Sequence, residues 1–169
     1  QKAHAAAMAV SGGCPLDSAI TSMRNQADEP SCSHTGTYGI TDTITLPSGT
    51  VTLSADLSAF GVGHDITIQG AGMTSTIIDA NGHYGFNGAD IGAAVSLKNF
   101  KIVNATNRAV NVTGGNTSIS LDRVEVADSD AGVYLSTVQV SVTNCNIHDN
   151  HATDSTQNGG LYSELQAIN

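Results

Sequence analysis

Acidic side chains at the ends of three similar segments are the residues of this chain that most resemble a metal site. Asn104, Asp128 and Asp149 end those segments and are expected to stack about 5 Å apart at one polar corner. Two carboxylates at that spacing repel, and a cation, a shared proton or water between them would relieve the repulsion. Oxygen ligands suit Ca²⁺, so Asp128, Asp130 and Asp149 are the candidate calcium ligands, with other polar residues nearby: His148, Asn150, His151 and Asp154. Solvated turn carboxylates are the favoured interpretation of this corner, and a catalytic acid–base pair is the further alternative.

A row of outward polar and aromatic residues is the second candidate site. Asn111, Tyr134 and Tyr162 take equivalent positions in successive repeats. Two tyrosines on a flat sheet could pack their ring faces against the C–H groups of a sugar, which makes this row the candidate carbohydrate-binding site. The favoured interpretation is a cross-strand aromatic pair that only stabilises the sheet.

Enzymatic chemistry is less clearly indicated. A lyase acting on acidic polysaccharide needs a basic residue to remove a proton from the sugar, but Arg24, Arg108 and Arg123 form no Arg-rich signature. The paired aspartates of polygalacturonase-like hydrolases and the local signatures of nucleophilic triads are also missing from the sequence. The sequence therefore leans away from an enzyme without deciding the question.

The elements that position these residues are short repeated strands. Segments starting at Ser96, Ser120 and Ser141 read alike and begin 24 and then 21 residues apart. Each joins two alternating apolar and polar runs at a polar corner, and a third short strand follows. This period without helix predicts an all-β, right-handed parallel β-helix with three strands per rung and about four to five rungs. Lys98 should lie over Asp122, and Lys101 over Glu125.

One helix precedes the repeats. Leu16, Ala19, Ile20 and Met23 have the spacing of one apolar helix face, and Pro15 suits the first helical position. We predict a flexible or strand-like arm over 1–13, a helical cap and loop over 14–39, and the parallel β-helix over 40–169. The helix would cover the first rung.

The three cysteines suggest a compartment. Cys14 and Cys32 bracket the predicted helix and are expected to form a disulfide, which implies export to an oxidising space. Cys145 lies at an inward strand position and is expected to act as a small buried hydrophobic residue.

Composition excludes some partners. The net charge is −9, with only 6 Lys and Arg in 169 residues, which argues against nucleic acid and against an anionic membrane surface. Aromatic residues make up 4% of the chain and Trp is absent, as suits a thin core of stacked aliphatic side chains. No apolar run is long enough to span a membrane.

The segment Cys14-Pro15-Leu16-Asp17-Ser18-Ala19-Ile20 resembles the Cys-Ser-Leu-Arg-Glu-Ala-Ile box at the start of many exported bacterial β-helix proteins. Its Cys, Leu, Ala and Ile match the box, while Pro15, Asp17 and Ser18 depart from it. Residues 46–53, 66–72 and 76–79 also look like that family, and the resemblance spans residues 14 to about 162. It implies a β-helix of the pectate-lyase-like superfold and export, but little about activity, because such proteins include adhesins, structural repeats and pectin-active enzymes.

These observations favour a secreted or cell-surface structural or adhesive β-solenoid. A carbohydrate-active enzyme and a non-catalytic glycan-binding module are the alternatives, and no cofactor is expected beyond the candidate Ca²⁺. The last rung is expected to be open. The favoured explanation is that it continues in a longer protein, and the alternatives are that another subunit covers it or that the end is frayed. The apolar arm from Ala3 to Val10 is the candidate strand for such self-association, with head-to-tail filaments as the result.

Overall fold

The computed structural model describes residues 5–39, 41–60, 63–89, 91–152 and 159–165. One helix and twelve strands alternate with short turns. In chain order they are β1 (Ala7–Ala9), α1 (Leu16–Asn25), β2 (His34–Thr35), β3 (Thr41–Thr45), β4 (Gly49–Thr52), β5 (Asp65–Gln69), β6 (Thr76–Asp79), β7 (Phe86–Ala89), β8 (Ala94–Val103), β9 (Arg108–Ala127), β10 (Ala131–Thr143), β11 (Asn146–His148) and β12 (Leu161–Leu165).

The strands stack in parallel into a solenoid of about five turns with three faces. The longer strands bend at corners, so that β8 and β10 each contribute to two faces and β9 contributes to all three. The first face contains β1, β3, β5 and residues 94–98, 118–122 and 139–143. The second contains β4, β6, residues 100–103 and 124–127, and β11. The third contains β7, residues 108–114 and 131–137, and β12. The predicted parallel β-helix is confirmed.

The core consists of side chains that stack in columns from coil to coil. Ile68, Leu97 and Leu121 are aligned by strand register, and each is fully buried. Phe100 lies over Val124 and Ile102 over Val126, as the repeat alignment predicted. Apolar residues alternate with outward polar ones because successive side chains of a strand point to opposite faces of the sheet.

The cap closes the first coil from two directions. β1 pairs in parallel with β3 and in antiparallel with β2, so the predicted arm is a strand of its own coil over Ala7–Ala9. The helix α1 buries the four apolar residues of its predicted face. It begins at Leu16 rather than Pro15, because Pro15 has an extended ψ of 159° and acts as the N-cap.

Candidate functional site

The corner that holds the predicted calcium ligands has a backbone explanation. Asn104, Asp128 and Asp149 have φ values of 56°, 51° and 53°, in the left-handed region. Asn and Asp tolerate this conformation better than other residues with a side chain. The N–H of Asn104 donates to the backbone oxygen of Asp128, at 3.1 Å. The repeated Asn and Asp residues therefore fit the turn between two faces.

The structure does not gather the predicted ligands into a cluster. Asp149 is mostly exposed, and its Oδ2 lies 2.7 Å from Nδ1 of His148. The backbone of Asp130 bonds to Ala105. Within the described ranges, no three His, Cys, Asp or Glu side chains are grouped to hold a metal ion; Asp154 lies outside those ranges. The calcium site stays a prediction, and the positions of the described residues give it no further support.

A charged cluster lies beside this corner on the second face. Lys101 Nζ lies 2.8 Å from Glu125 Oε1, which confirms the predicted pairing across coils. Nε2 of His148, one coil further, lies 3.4 Å from the same carboxylate oxygen. The hydrogen bond from Lys101 holds the pKa of Glu125 below its usual value. The carboxylates of Asp149 and then Glu125 raise the pKa of His148. The comparison of repeats did not predict the contact between His148 and Glu125.

The other predicted charge pair has a different partner. Lys98 and Asp122 are aligned, as expected. However, Oδ2 of Asp122 lies 2.8 Å from the guanidinium of Arg123, its neighbour in sequence. Arg123 occupies a left-handed corner with φ 53°, and its Nε also donates to Oδ1 of Asn99 in the preceding coil, at 2.7 Å.

The tyrosine row on the third face is assembled as the repeats predicted. Asn87, Asn111, Tyr134 and Tyr162 are aligned across four coils. Nδ2 of Asn111 donates to Oδ1 of Asn87 at 3.2 Å. The rings of Tyr134 and Tyr162 are parallel within 5°, with centroids 4.7 Å apart. The Arg108 guanidinium lies 4.0 Å from the centroid of the Tyr134 ring.

This stacking limits how a sugar could bind. A sugar platform needs an open ring face. The Tyr134 ring, however, stacks on the Tyr162 ring and also contacts the guanidinium of Arg108. Tyr162 is 37% exposed, and its hydroxyl donates to Glu164 at 3.2 Å. The charge of Glu164 raises the Tyr162 pKa. The row is an aromatic and cation–π stack along the solenoid, and carbohydrate binding stays a prediction.

A buried carboxylate at the cap is a feature that the repeats did not reveal. Asp42 in β3 is 1% exposed. Its Oδ1 accepts from the Ala6 backbone N–H and its Oδ2 from the Gln26 side-chain amide, each at 3.0 Å. Gln26 ends α1 in the left-handed conformation. Asp42 thus joins the first coil to β1 and to the helix.

The loop after the helix carries a second polar cluster. Asp28 accepts from the Tyr38 hydroxyl at 2.6 Å and lies 2.8 Å from Nδ1 of His34. These two hydrogen bonds lower the pKa of Asp28. Partial burial, followed by the hydrogen bond to Asp28, raises the Tyr38 pKa strongly. The cluster holds the loop against β2. Its three residues lie within one loop and do not recur along the chain, so the comparison of repeats could not predict it.

The disulfide between Cys14 and Cys32 is present, with 4.7 Å between the Cα atoms, and confirms the predicted pairing. It links the turn before α1 to the loop after it. Cys145 is free and half-buried in the last coil, where it packs at the edge of the core as a small hydrophobic residue.

Among the described residues, no helix is long and apolar enough to cross a membrane. No family model, curated protein sequence or solved structure matches the chain.

Proposed function

We propose that this chain is an extracellular structural or adhesive β-solenoid that associates through its C-terminal coil. The observation that carries the proposal is the contrast between that coil and the ones before it. Val142 and Ile147 continue core columns whose preceding members, Leu121 and Val126, are fully buried. Val142 and Ile147 are themselves only half-buried.

The strands on the first two faces of this coil also lack a described partner on their outer edges. Residues 139–143 of β10 and the strand β11 each pair with β9 and with no other described strand. Unpaired edges over half-exposed apolar residues favour the addition of further strands. Another β-coil stacked on this end would bury the column and pair the edges in one step.

The N-terminal end is less suited to this role. β1 already pairs with β3, and Met8 is 2% exposed, so the arm would have to leave its own coil to complete a neighbour. The structure therefore supports association through the C-terminal coil better than exchange of the arm. Head-to-tail filaments would also require the cap to be displaced.

Export is the proposed location. The Cys14–Cys32 disulfide closes a loop next to the cap, and such bonds persist chiefly in oxidising compartments. The resemblance of residues 14–20 to the box of exported β-helix proteins supports the same location.

The test is the mass of the protein in solution, measured by light scattering over a range of concentrations. We expect the wild-type chain to exceed the monomer mass of 17.2 kDa, and the Val142→Lys variant to remain monomeric. Ser141→Lys is the matched control, since Ser141 is the exposed outward neighbour and its substitution should leave association intact. A wild-type chain that stays monomeric at every concentration would contradict the proposal.

The alternative is carbohydrate recognition, either by an enzyme acting on acidic polysaccharide or by a binding module. Its support is the aligned row of Asn111, Tyr134 and Tyr162. The negative charge of the chain disfavours an acidic polymer unless Ca²⁺ bridges the two. Cleavage or retention of a uronate polymer in the presence of Ca²⁺, lost in Tyr162→Ala, would favour this alternative.

A further inference from the structure

A cleft of about 620 Å³ lies between the cap and the second face of the first coil. One wall is the start of α1 with the turn before it, and the other is β4 with its flanking turns. The lining combines apolar groups with hydroxyls: Val10, Leu16, Thr50, Val51, Thr52 and Leu53. Asp17 is the one charged residue among the described lining residues, and its Oδ1 already accepts from the Ser58 backbone N–H at 2.6 Å.

The outer edge of β4 faces this cleft, and its backbone groups have no hydrogen-bond partner among the described residues. β4 pairs with β6 and with no other described strand. The backbone N–H of Gly49 donates to the backbone oxygen of Ser75 at 2.7 Å, and that of Leu53 donates to the backbone oxygen of Asp79 at 2.9 Å. Alternate residues of a strand direct their N–H and C=O groups to opposite edges. The backbone groups of Thr50 and Thr52 therefore point away from β6 and into the cleft.

The path of the chain explains why a strand is missing at this position. On the first face, β1 lies beyond β3 and forms an additional layer. After β1 the chain turns back at Ser11, whose N–H donates to the Cys14 backbone oxygen at 2.9 Å, and enters α1. In the part of the chain that the structure describes, the second face thus has no strand beyond β4 to match β1. Val51 is half-buried, whereas Ile78, the next residue in its column, is fully buried.

We propose that this cleft binds an extended peptide, which adds to β4 as a strand. A polypeptide in β conformation is the ligand class whose alternating donors and acceptors satisfy a strand edge. An apolar side chain of the peptide covers Val51 and completes its column. A Lys or Arg next to that side chain meets Asp17, and the net charge of −9 favours a basic peptide.

The end of a second copy is a poorer occupant. β1 forms one layer beyond β3 on the neighbouring first face, so the C-terminal coil of another molecule would meet β1 before it reached β4. A single peptide strand enters beside the cap without moving it.

The probe is a fluorescein-labelled peptide, Lys-Thr-Val-Thr-Val-Thr-Lys, that copies the alternation of β4. Saturable binding is measured by fluorescence polarisation with the full chain. Thr52→Pro removes the N–H that points into the cleft and should weaken binding roughly tenfold or more. Thr52→Ala keeps that N–H and should bind like the wild type. Absence of saturable binding, or equal binding by both variants, would overturn the proposal.

Two isomeric peptides test strand addition without altering the protein. One carries N-methyl groups on both valines and the other on two threonines, so each blocks one edge of the peptide strand. If the peptide adds in parallel, the backbone N–H groups of its inward-facing valines donate to β4. The inward residue Leu53 donates to the next coil in the same way. The valine isomer should then lose binding and the threonine isomer should keep it. Equal affinity of the two isomers would overturn strand addition.

The cleft and the C-terminal coil lie at opposite ends of the solenoid, so the two proposals are separable. Peptide binding is repeated with Val142→Lys, which is expected to be monomeric, and should be unchanged. If the chain alone dimerises and Thr52→Pro abolishes the dimer, a second copy occupies the cleft and the peptide proposal is wrong.

Discussion

Asp42 occupies an inward position of β3 where the aligned residues of later coils are aliphatic. Ile66 and Val95 continue its column, and both are buried. A carboxylate is tolerated there because two amides from the cap donate to it. The residue therefore replaces apolar packing with a hydrogen-bonded joint at the point where strand, arm and helix meet.

Removal of this carboxylate should destabilise the cap. Asp42→Ala leaves the buried Ala6 N–H without its acceptor, which costs about 1–3 kcal/mol in the free energy of unfolding. Asp56→Ala is the control, since Asp56 accepts from Tyr84 N–H but is 55% exposed, and its loss should cost less. Urea denaturation measures both. An equal effect of the two substitutions would show that burial at Asp42 contributes nothing.

The cluster of Lys101, Glu125 and His148 predicts a pH dependence with two opposed limits. The pKa of His148 is raised, so its contribution to stability is fully present below the ordinary value of 6.5 and is lost as pH rises through the raised pKa. The pKa of Glu125 is lowered, so its contribution is present above the ordinary value of 4.5 and is lost as pH falls through the lowered pKa. Both contributions are complete between these two values.

The measurement is the free energy of unfolding of the wild type and of His148→Gln as a function of pH. The wild type should be the more stable at pH 5 to 6, and the difference should shrink above that range. High salt should reduce it, because these groups are near the surface. A difference between the two proteins that grows as the pH rises would contradict the assignment.

At the level of elements, the strands of the coils were predictable because their signal is periodic. Alternation fixed which side of each strand is buried, and the repeat spacing fixed which residues are aligned, including Lys101 with Glu125. The helix was predictable from its apolar face. Its start differed by one residue, since Pro15 has the φ of a helix but not the ψ.

The chemistry of the corners could not be derived in the same way. Asn and Asp are preferred both as calcium ligands and as residues in the left-handed conformation, and the sequence does not separate the two causes at Asp128 and Asp149. The partners of Asp42 lie 16 and 36 residues away, and no local pattern connects them. The cleft beside β4 depends on where the chain turns after β1, which repeats do not encode.

For the whole molecule, a solenoid is stabilised mainly by contacts between neighbouring coils. An inner coil has neighbours on both sides, whereas the described C-terminal coil has one. Residues 118–122 and 125–127 of β9 pair on both edges, whereas residues 139–143 and 146–148 pair on one edge among the described strands. Stability should therefore decline toward the C-terminal coil.

Amide hydrogen exchange tests this gradient and the proposed association together. In dilute protein, we expect amides of residues 139–148 to exchange much faster than those of residues 118–127, because opening the last coil breaks only one interface. At higher concentration, association should slow exchange in residues 139–148, while Val142→Lys should keep it fast. Uniform protection along the solenoid in dilute protein would mean that the coils unfold only as one unit. The last coil would then not be the weak, available edge on which the proposed association depends.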